Sequence, residues 1–124
     1  MKIYRCRHCG NIIVKVEDSG VPVVCCGEQM GVLEAGTVEA SVEKHIPIVE
    51  INGDEMTVKV GEVIHPMVAE HYIEWFLIER DKSYTIRYLQ PEDAPEATFY
   101  VKGEKLLNVY AYCNLHGLWK ANLE

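Results

Sequence analysis

The stretch "IPIVEINGDEMTVKV", residues 46–60, indicates the fold of most of the chain. Two runs rich in β-branched residues alternate apolar and polar side chains, which is typical of half-buried strands. Between them stands Asn52-Gly53, a dipeptide that favours a reversal between antiparallel strands. We therefore predict a β-hairpin here, with a connecting loop longer than two residues.

Similar runs follow, with short polar stretches between them. They are "YIEWFLIER" (72–80), "YTIRYLQ" (84–90), "ATFYVK" (97–102) and "LNVYAYC" (107–113). The first could be mistaken for a helix, but its β-branched and aromatic content favours a strand. About seven short strands at this spacing predict an immunoglobulin-like antiparallel β-sandwich.

The N-terminal segment differs from the rest, because four of the five cysteines precede residue 27. Residues 1–35 also contain short β-like runs, yet a segment of this length needs a metal, disulfides or a partner chain to fold. A linker-like stretch, "EAGTVEAS", spans residues 34–41. We predict a mainly β protein with a small metal-binding domain over residues 1–35 and the sandwich over 36–124.

Composition excludes several classes of protein. Hydrophobic residues make up 48% and charged residues 25%, as in globular proteins. The apolar runs are too short for a membrane span, and the N-terminus has no signal-peptide core, so we expect a cytoplasmic protein without a membrane partner. The net charge of -7 disfavours nucleic acid.

The charge is unevenly distributed between the two predicted domains. Residues 1–35 hold four basic and four acidic side chains, whereas residues 36–124 hold eight basic and fifteen acidic ones. An anionic substrate of the second domain would therefore need local positive charge.

The first candidate site consists of the early cysteines, arranged as a C-x2-C pair and an adjacent pair. They are Cys6, Cys9, Cys25 and Cys26. A reducing compartment and an odd cysteine count argue against disulfides, and four thiolates fit a closed tetrahedral site for iron or zinc. Gly10 and Gly27 would let backbone amides turn toward sulfur. His8, inside the first pair, is interpreted as a loop residue rather than a ligand.

The second candidate site gathers the remaining histidines and the late cysteine. They are His45, His65, His71, His116 and Cys113. A single histidine is usually an ordinary surface or core residue, but strand ends of a sandwich can converge. Five such donors around a divalent iron leave one octahedral position open. Structural zinc, in contrast, would use four ligands and leave no open position. A thiolate among them would push electron density onto the metal.

Several neighbours of this set have simpler interpretations. Trp75 and Trp119 are expected to be core residues or packing that shields the site, and Met67 is expected to pack rather than bind metal. Strand alternation predicts that Tyr112 points away from the face that carries Cys113.

Five motifs occur in order over nearly the whole chain: "YRCRHCGN", "VVCCGEQM", "EKHIPIVE", "HPMVAEHYIEW" and "CNLHGLWK". On them the sequence resembles desulfoferrodoxin, the two-iron class of superoxide reductases. The resemblance implies a rubredoxin-like iron on the four early cysteines, in a desulforedoxin-like domain. It also implies a catalytic iron in the sandwich, with the four imidazoles of His45, His65, His71 and His116 in a plane and the Cys113 thiolate axial.

The same resemblance implies the chemistry and the partners. Superoxide would take one electron and two protons to give hydrogen peroxide. The protein would form homodimers and draw electrons from rubredoxin or a similar small donor, and the first iron is not required in every branch of the family. In the "EKH" motif, Lys44 would stand near the open face and Glu43 would bind the ferric iron after turnover. Without the motif, both would be an exposed loop pair.

Two functions of other classes remain open at the level of sequence. One is an iron electron-transfer protein without substrate chemistry, which would need no open metal position. The other is a structural zinc module that binds another protein, and zinc is colourless and redox-inert. Within the enzyme class, dismutation of superoxide is a further possibility that depends on the potential of the iron.

Overall fold

The computed structural model describes residues 1–36 and 45–124. These residues form two compact units, Met1–Glu34 and Ala35–Glu124. Both are built from antiparallel strands, which confirms the predicted mainly β architecture. Within this part of the chain, no helix has the length and apolar character needed to cross a membrane. Glu43, Lys44 and most of the predicted linker over residues 34–41 lie outside the described residues.

The first unit is a small β structure with few buried apolar side chains. Its strands are β1 (Ile3–Arg5), β2 (Ile12–Val14), β3 (Val24–Cys25), β4 (Glu28–Gln29) and β5 (Gly31–Val32). Strands β2, β1 and β5 form one sheet, and β3 and β4 form a two-stranded ribbon. The buried apolar residues of this unit are Ile3, Cys6 and Met30. So small a core cannot by itself offset the entropy of ordering the segment.

In its described residues, 35–36 and 45–124, the second unit is a sandwich of seven strands. They are β6 (Pro47–Asn52), β7 (Glu55–Val60), β8 (Ile73–Arg80), β9 (Tyr84–Tyr88), β10 (Glu96–Tyr100), β11 (Leu106–Cys113) and β12 (Gly117–Asn122). The order is β10-β7-β6 in one sheet and β12-β11-β8-β9 in the other. Alternate side chains of both sheets, such as Met56, Val58, Phe76, Phe99 and Val109, form one core. This is the predicted immunoglobulin-like architecture.

The hairpin predicted at Asn52-Gly53 is present, but its loop is shorter than expected. Asn52 pairs with Glu55, so only Gly53 and Asp54 connect the strands. Gly53 has a φ of +64°, which a glycine adopts without steric cost at the first central position of a two-residue turn. The prediction of a longer loop was wrong because the pairing extends through Asn52.

The register between β8 and β11 sets the direction of Cys113. Ala111 pairs with Phe76 and Tyr112 with Trp75, but Cys113 pairs with Ile73, which leaves a bulge at this point. The bulge places the side chains of Ile73 and Cys113 in the core between the sheets. Tyr112 points to the opposite face and stacks on Trp75 at 5.3 Å, as strand alternation predicts.

Burial in the core of the sandwich predicts which substitutions lower its free energy of unfolding. Phe76→Ala should lower the free energy of unfolding of the second unit by about 3–5 kcal/mol, because it opens a cavity at a fully buried position. The matched control is Tyr88→Ala, which truncates an aromatic ring that is 74% exposed and should cost no more than about 0.5 kcal/mol. Denaturant unfolding measures both values, and equal losses would contradict this assignment of the core.

Candidate metal centres

The five predicted donors of the second site lie at one end of the sandwich. His45 precedes β6, His65 follows β7, and His71 precedes β8. Cys113 ends β11, and His116 lies in the turn before β12. The antiparallel pairs place these termini side by side, since Pro47 pairs with Val60 and Cys113 pairs with both Ile73 and Gly117. Both sheets thus contribute ligand-type side chains to the same place.

The four imidazoles form a closed ring around a common centre. Successive ring centroids lie 4.8 Å apart for His45 and His65, 4.7 Å for His65 and His71, 5.0 Å for His71 and His116, and 4.8 Å for His116 and His45. Neighbouring rings meet edge to face, at 77–88°. Across the ring, His45 and His71 are 6.3 Å apart. This is the arrangement expected of four ligands around one metal ion.

The nitrogen and sulfur atoms approach one another closely. The His45 Nε2 atom lies 3.2 Å from the His65 Nε2 atom and 3.0 Å from the His116 Nδ1 atom. The Cys113 sulfur is 4.0 Å from the same His116 nitrogen. The potential ligand atoms of His45, His65, His71 and Cys113 all lie within 4.8 Å of one another. Nitrogen and sulfur donors this close to one another are expected where a cation joins them.

A backbone carbonyl group orients the His65 ring toward the site. Its Nδ1–H donates to the carbonyl oxygen of Pro66 at 2.6 Å, which leaves the lone pair of Nε2 directed at His45. Burial lowers the pKa of His65 to about 4, so the ring is neutral at physiological pH. A neutral imidazole with its other nitrogen donating to a carbonyl is the ordinary form of a metal ligand.

Cys113 is fully buried beside the histidines. Burial raises the pKa of its thiol, although hydrogen bonds from the backbone of His116 and Leu115 act in the opposite direction. The thiol would therefore remain protonated at neutral pH without a neighbouring cation. Binding of a metal would release this proton and provide the thiolate.

Trp119 does more than pack in the core, because it contacts two of the histidines directly. Its ring stacks on His45 at 4.9 Å, and its Nε1–H donates to the carbonyl oxygen of His116 at 3.0 Å. With 3% of its surface exposed, it shields this side of the site as predicted. Met67 also behaves as predicted: it packs against the core, and its sulfur accepts the Ile73 N–H.

The first site is the predicted group of four cysteines, whose sulfur atoms all lie within 4.8 Å of one another. All of them are free thiols, and the sulfur atoms of Cys9 and Cys25 are within hydrogen-bonding distance, 3.6 Å apart. The Cys9 N–H donates to the sulfur of Cys6. The Asn11 side-chain amide donates to the sulfur of Cys25. Such bonds stabilise thiolate ligands.

The adjacent pair reaches the site through an unusual backbone conformation. Cys26 has a φ of +53° and Gly27 one of +73°, so two successive residues are left-handed. This conformation is costly for a residue with a Cβ atom and is found where function requires it. It allows neighbouring cysteines to direct both sulfur atoms toward one centre.

Hydrogen bonds within the first site shift the pKa values of Cys6, Cys25 and Cys26. The Cys9 N–H lowers the pKa of Cys6 to about 6. Hydrogen bonding with Cys9 raises the pKa of Cys26 to about 12 and also raises that of Cys25. At neutral pH one thiolate is therefore favoured and further ionisation is opposed. A cation at the centre would stabilise the additional thiolates.

His8 does not join the cluster, in agreement with its interpretation as a loop residue. Its Nε2 atom contacts the carboxylate of Glu28, which also accepts the Arg7 Nε–H at 2.9 Å. Glu28 thus links the two cysteine-bearing turns. These contacts are exposed and contribute little stability.

Family comparisons agree with both units. A desulfoferrodoxin N-terminal domain model matches residues 1–33, and a desulfoferrodoxin model matches residues 37–122. The chain belongs to the desulfoferrodoxin family. The desulfoferrodoxin of Nitratidesulfovibrio vulgaris is 44% identical over 120 residues, covering 97% of this chain and 94% of that one.

Solved structures extend the comparison to three dimensions. The superoxide reductase from Treponema pallidum matches with a TM-score of 0.79 and 36% identity, over 98% of this chain and 100% of that one. The one-iron superoxide reductase from Giardia intestinalis has a TM-score of 0.56 and 29% identity. It covers 66% of this desulfoferrodoxin chain and 98% of its own.

Both donor sets fit the two iron centres of the desulfoferrodoxin family. Four sulfur donors without other ligand types match a tetrahedral tetrathiolate iron. Imidazoles with a single buried thiol match a mononuclear iron of higher coordination number. The sequence analysis named all nine of these residues as candidate donors, but it missed Asn114, which hydrogen-bonds both neighbours of His71. An asparagine in a turn signals side-chain bonds to backbone, but its partners 42 and 44 residues away are not visible in sequence.

Proposed function

We propose that this protein is a superoxide reductase, which adds one electron and two protons to superoxide and forms hydrogen peroxide without releasing dioxygen. The ring of four imidazoles beside a buried thiol carries this proposal. An electron-transfer protein needs no such set of donors, because outer-sphere transfer requires only a closed centre. A structural zinc site would need four ligands rather than five.

In this proposal, His45, His65, His71, His116 and Cys113 hold the catalytic iron. Iron held there would supply one-electron reducing chemistry, and the Cys113 thiolate would favour transfer of an electron to a small oxidant. The chain provides the orientation: Pro66 fixes the His65 ring, and Trp119 covers the face of His45. His45, His65 and Cys113 are buried, whereas His71 and His116 are partly exposed. A small anion would therefore reach the site from the side of His71 and His116.

The four early cysteines are proposed to hold a second, tetrathiolate iron in a metal-binding domain over residues 1–35, with the catalytic domain over 36–124. Iron held by thiolates exchanges single electrons without binding a substrate. Rubredoxin or a similar small redox protein is the proposed donor. The Giardia relative, described as a one-iron enzyme, aligns with 66% of this chain, which agrees with a catalytic unit that works without the first centre.

The proposal includes a cytoplasmic homodimer. The first unit leaves several valines on its surface, including Val16, Val21 and Val24, with exposed fractions of 87%, 67% and 64%. A second copy of the chain could bury this apolar surface, which a unit with so small a core would otherwise leave in water. Five free cysteines are consistent with a reducing compartment.

Lys44 is proposed to attract superoxide, and Glu43 to bind the ferric iron after turnover. At low ionic strength, Lys44→Ala should slow the capture of superoxide by about tenfold and weaken its salt dependence, since a local cation concentrates an anionic substrate. Lys102→Ala removes the same charge from an exposed residue after β10, at the other end of the sandwich, and is the matched control. Rates from pulse radiolysis test this prediction. An unchanged rate for Lys44→Ala at low salt would remove the lysine from the proposed mechanism.

Metal content and visible absorption test the proposed function as a whole. Protein from an iron-supplied host should contain two irons per chain, with a tetrathiolate spectrum and a separate thiolate-to-ferric band that disappears on reduction. Zinc in the first site alone would leave the catalytic proposal standing without an internal electron store. A second site that takes up no iron after anaerobic reconstitution would contradict the proposal and favour a structural module.

A further inference from the structure

The segment that carries His71 forms a tight turn of its own. The His71 N–H donates to the Val68 carbonyl oxygen, and the Val68 N–H donates to the His71 carbonyl oxygen, both at 3.0 Å. The backbone polar groups of His71 are thus engaged within the turn. What remains to be fixed is the position of this turn relative to the loop that carries Cys113 and His116.

Asn114 makes that connection. Its Oδ1 atom accepts the Tyr72 N–H at 2.9 Å, and its Nδ2–H donates to the Glu70 carbonyl oxygen at 3.1 Å. Its own N–H donates to the Tyr72 carbonyl oxygen at 3.2 Å. One residue therefore binds the backbone on both sides of His71, and its side chain uses both a donor and an acceptor to do so.

The location of these bonds gives them a specific consequence. Regular pairing between β8 and β11 ends at the bulge where Cys113 faces Ile73. Asn114 continues the contact beyond that point, into the two loops that carry donors of the second site. His71 precedes β8 and Cys113 ends β11, so the distance between them depends on this junction.

We propose that Asn114 is a positioning residue that sets the place of His71 relative to Cys113 and His116, and so controls the affinity and electronic structure of the second metal centre. The inference rests on the proposed function, because it takes these residues as ligands of the catalytic iron. Asn114 acts through hydrogen bonds to the backbone around a ligand. Groups in this position usually change metal affinity by 10- to 100-fold when they are removed.

The test compares three variants of the full-length, iron-loaded protein. Asn114→Ala removes both side-chain bonds, and Asn114→Asp keeps the acceptor for the Tyr72 N–H while losing the donor. Asn122→Ala is the control, since the side chain of this exposed asparagine accepts the Glu124 N–H. The readouts are the rate of iron transfer from the second centre to a ferrous chelator, the position of its thiolate-to-ferric band, and the thermal unfolding midpoint.

We expect Asn114→Ala to release iron from the second centre 10- to 100-fold faster than the wild type, with a shifted band and an unchanged first centre. Asn114→Asp should release iron at a rate between those of Asn114→Ala and the wild type, and Asn122→Ala should match the wild type. If Asn114→Ala does not fold, the iron-release rate and band position of Asn114→Asp are compared with those of the wild type instead. Release rates within twofold of the wild type, with an unmoved band, would overturn the proposal. Wild-type iron that fails to react with superoxide would instead contradict the proposed function, because release rate and band position need only bound metal.

Discussion

Cys113→Ser is expected to abolish the thiolate-to-ferric absorption of the second centre and to slow the reaction with superoxide by more than about 100-fold. Among the described residues, Cys113 is the one cysteine in this group of candidate ligands, so no second thiolate is available there to replace it. Removal of a group that hydrogen-bonds a metal ligand typically lowers metal affinity or activity by about 10- to 100-fold. Loss of the ligand itself should lower the rate further. Absorption spectra and rates of superoxide decay measure the effect.

The reciprocal variant is the control for this experiment. Cys26→Ser removes a sulfur donor from the first cluster and leaves the second intact. It should change the tetrathiolate spectrum while preserving the second band and the superoxide reaction. Retention of both bands in Cys113→Ser would refute the assignment of this cysteine as a ligand.

Removal of the metal from the first centre is expected to unfold residues 1–34 while the sandwich stays folded. The first unit buries Ile3, Met30 and Cys6, whereas the second has a continuous core between two sheets. In small domains of this kind, binding of a structural metal contributes about 10 kcal/mol or more to folding. Amide hydrogen exchange of the metal-free chain should show unprotected amides in β1 and β2.

The sandwich serves as the internal reference in that measurement. Amides of β8 and β11, which pair along most of their length, should keep slow exchange after the metal is removed. Slow exchange in β1 and β2 of the metal-free protein would show that the first unit folds without metal, contrary to this expectation.

The sequence indicated the candidate site because its residue types are scarce and their chemistry is specific. Four cysteines in a short segment have few uses other than metal binding in a reducing compartment. The histidines lie at strand ends, and antiparallel pairing then brings those ends together. Lys44 and Glu43 remain predictions, since both lie outside the described residues.

What the sequence did not reveal depends on contacts between distant segments. The strand Gly117–Asn122 was not located, because its alternation is weak and its identity follows from pairing with β11. The roles of Asn114 and of the Trp119 indole N–H depend on partners that only the folded chain supplies. The loop at Gly53 was judged too long because local composition does not report where pairing ends.

The most direct test of the central claim is the stoichiometry of the reaction with superoxide. Fully reduced protein should consume superoxide and yield one hydrogen peroxide for each superoxide, with no dioxygen and with oxidation of the second centre. A rubredoxin-type donor should then restore the reduced state. Release of one dioxygen for every two superoxide ions consumed, without net oxidation of the iron, would identify a dismutase and contradict the account.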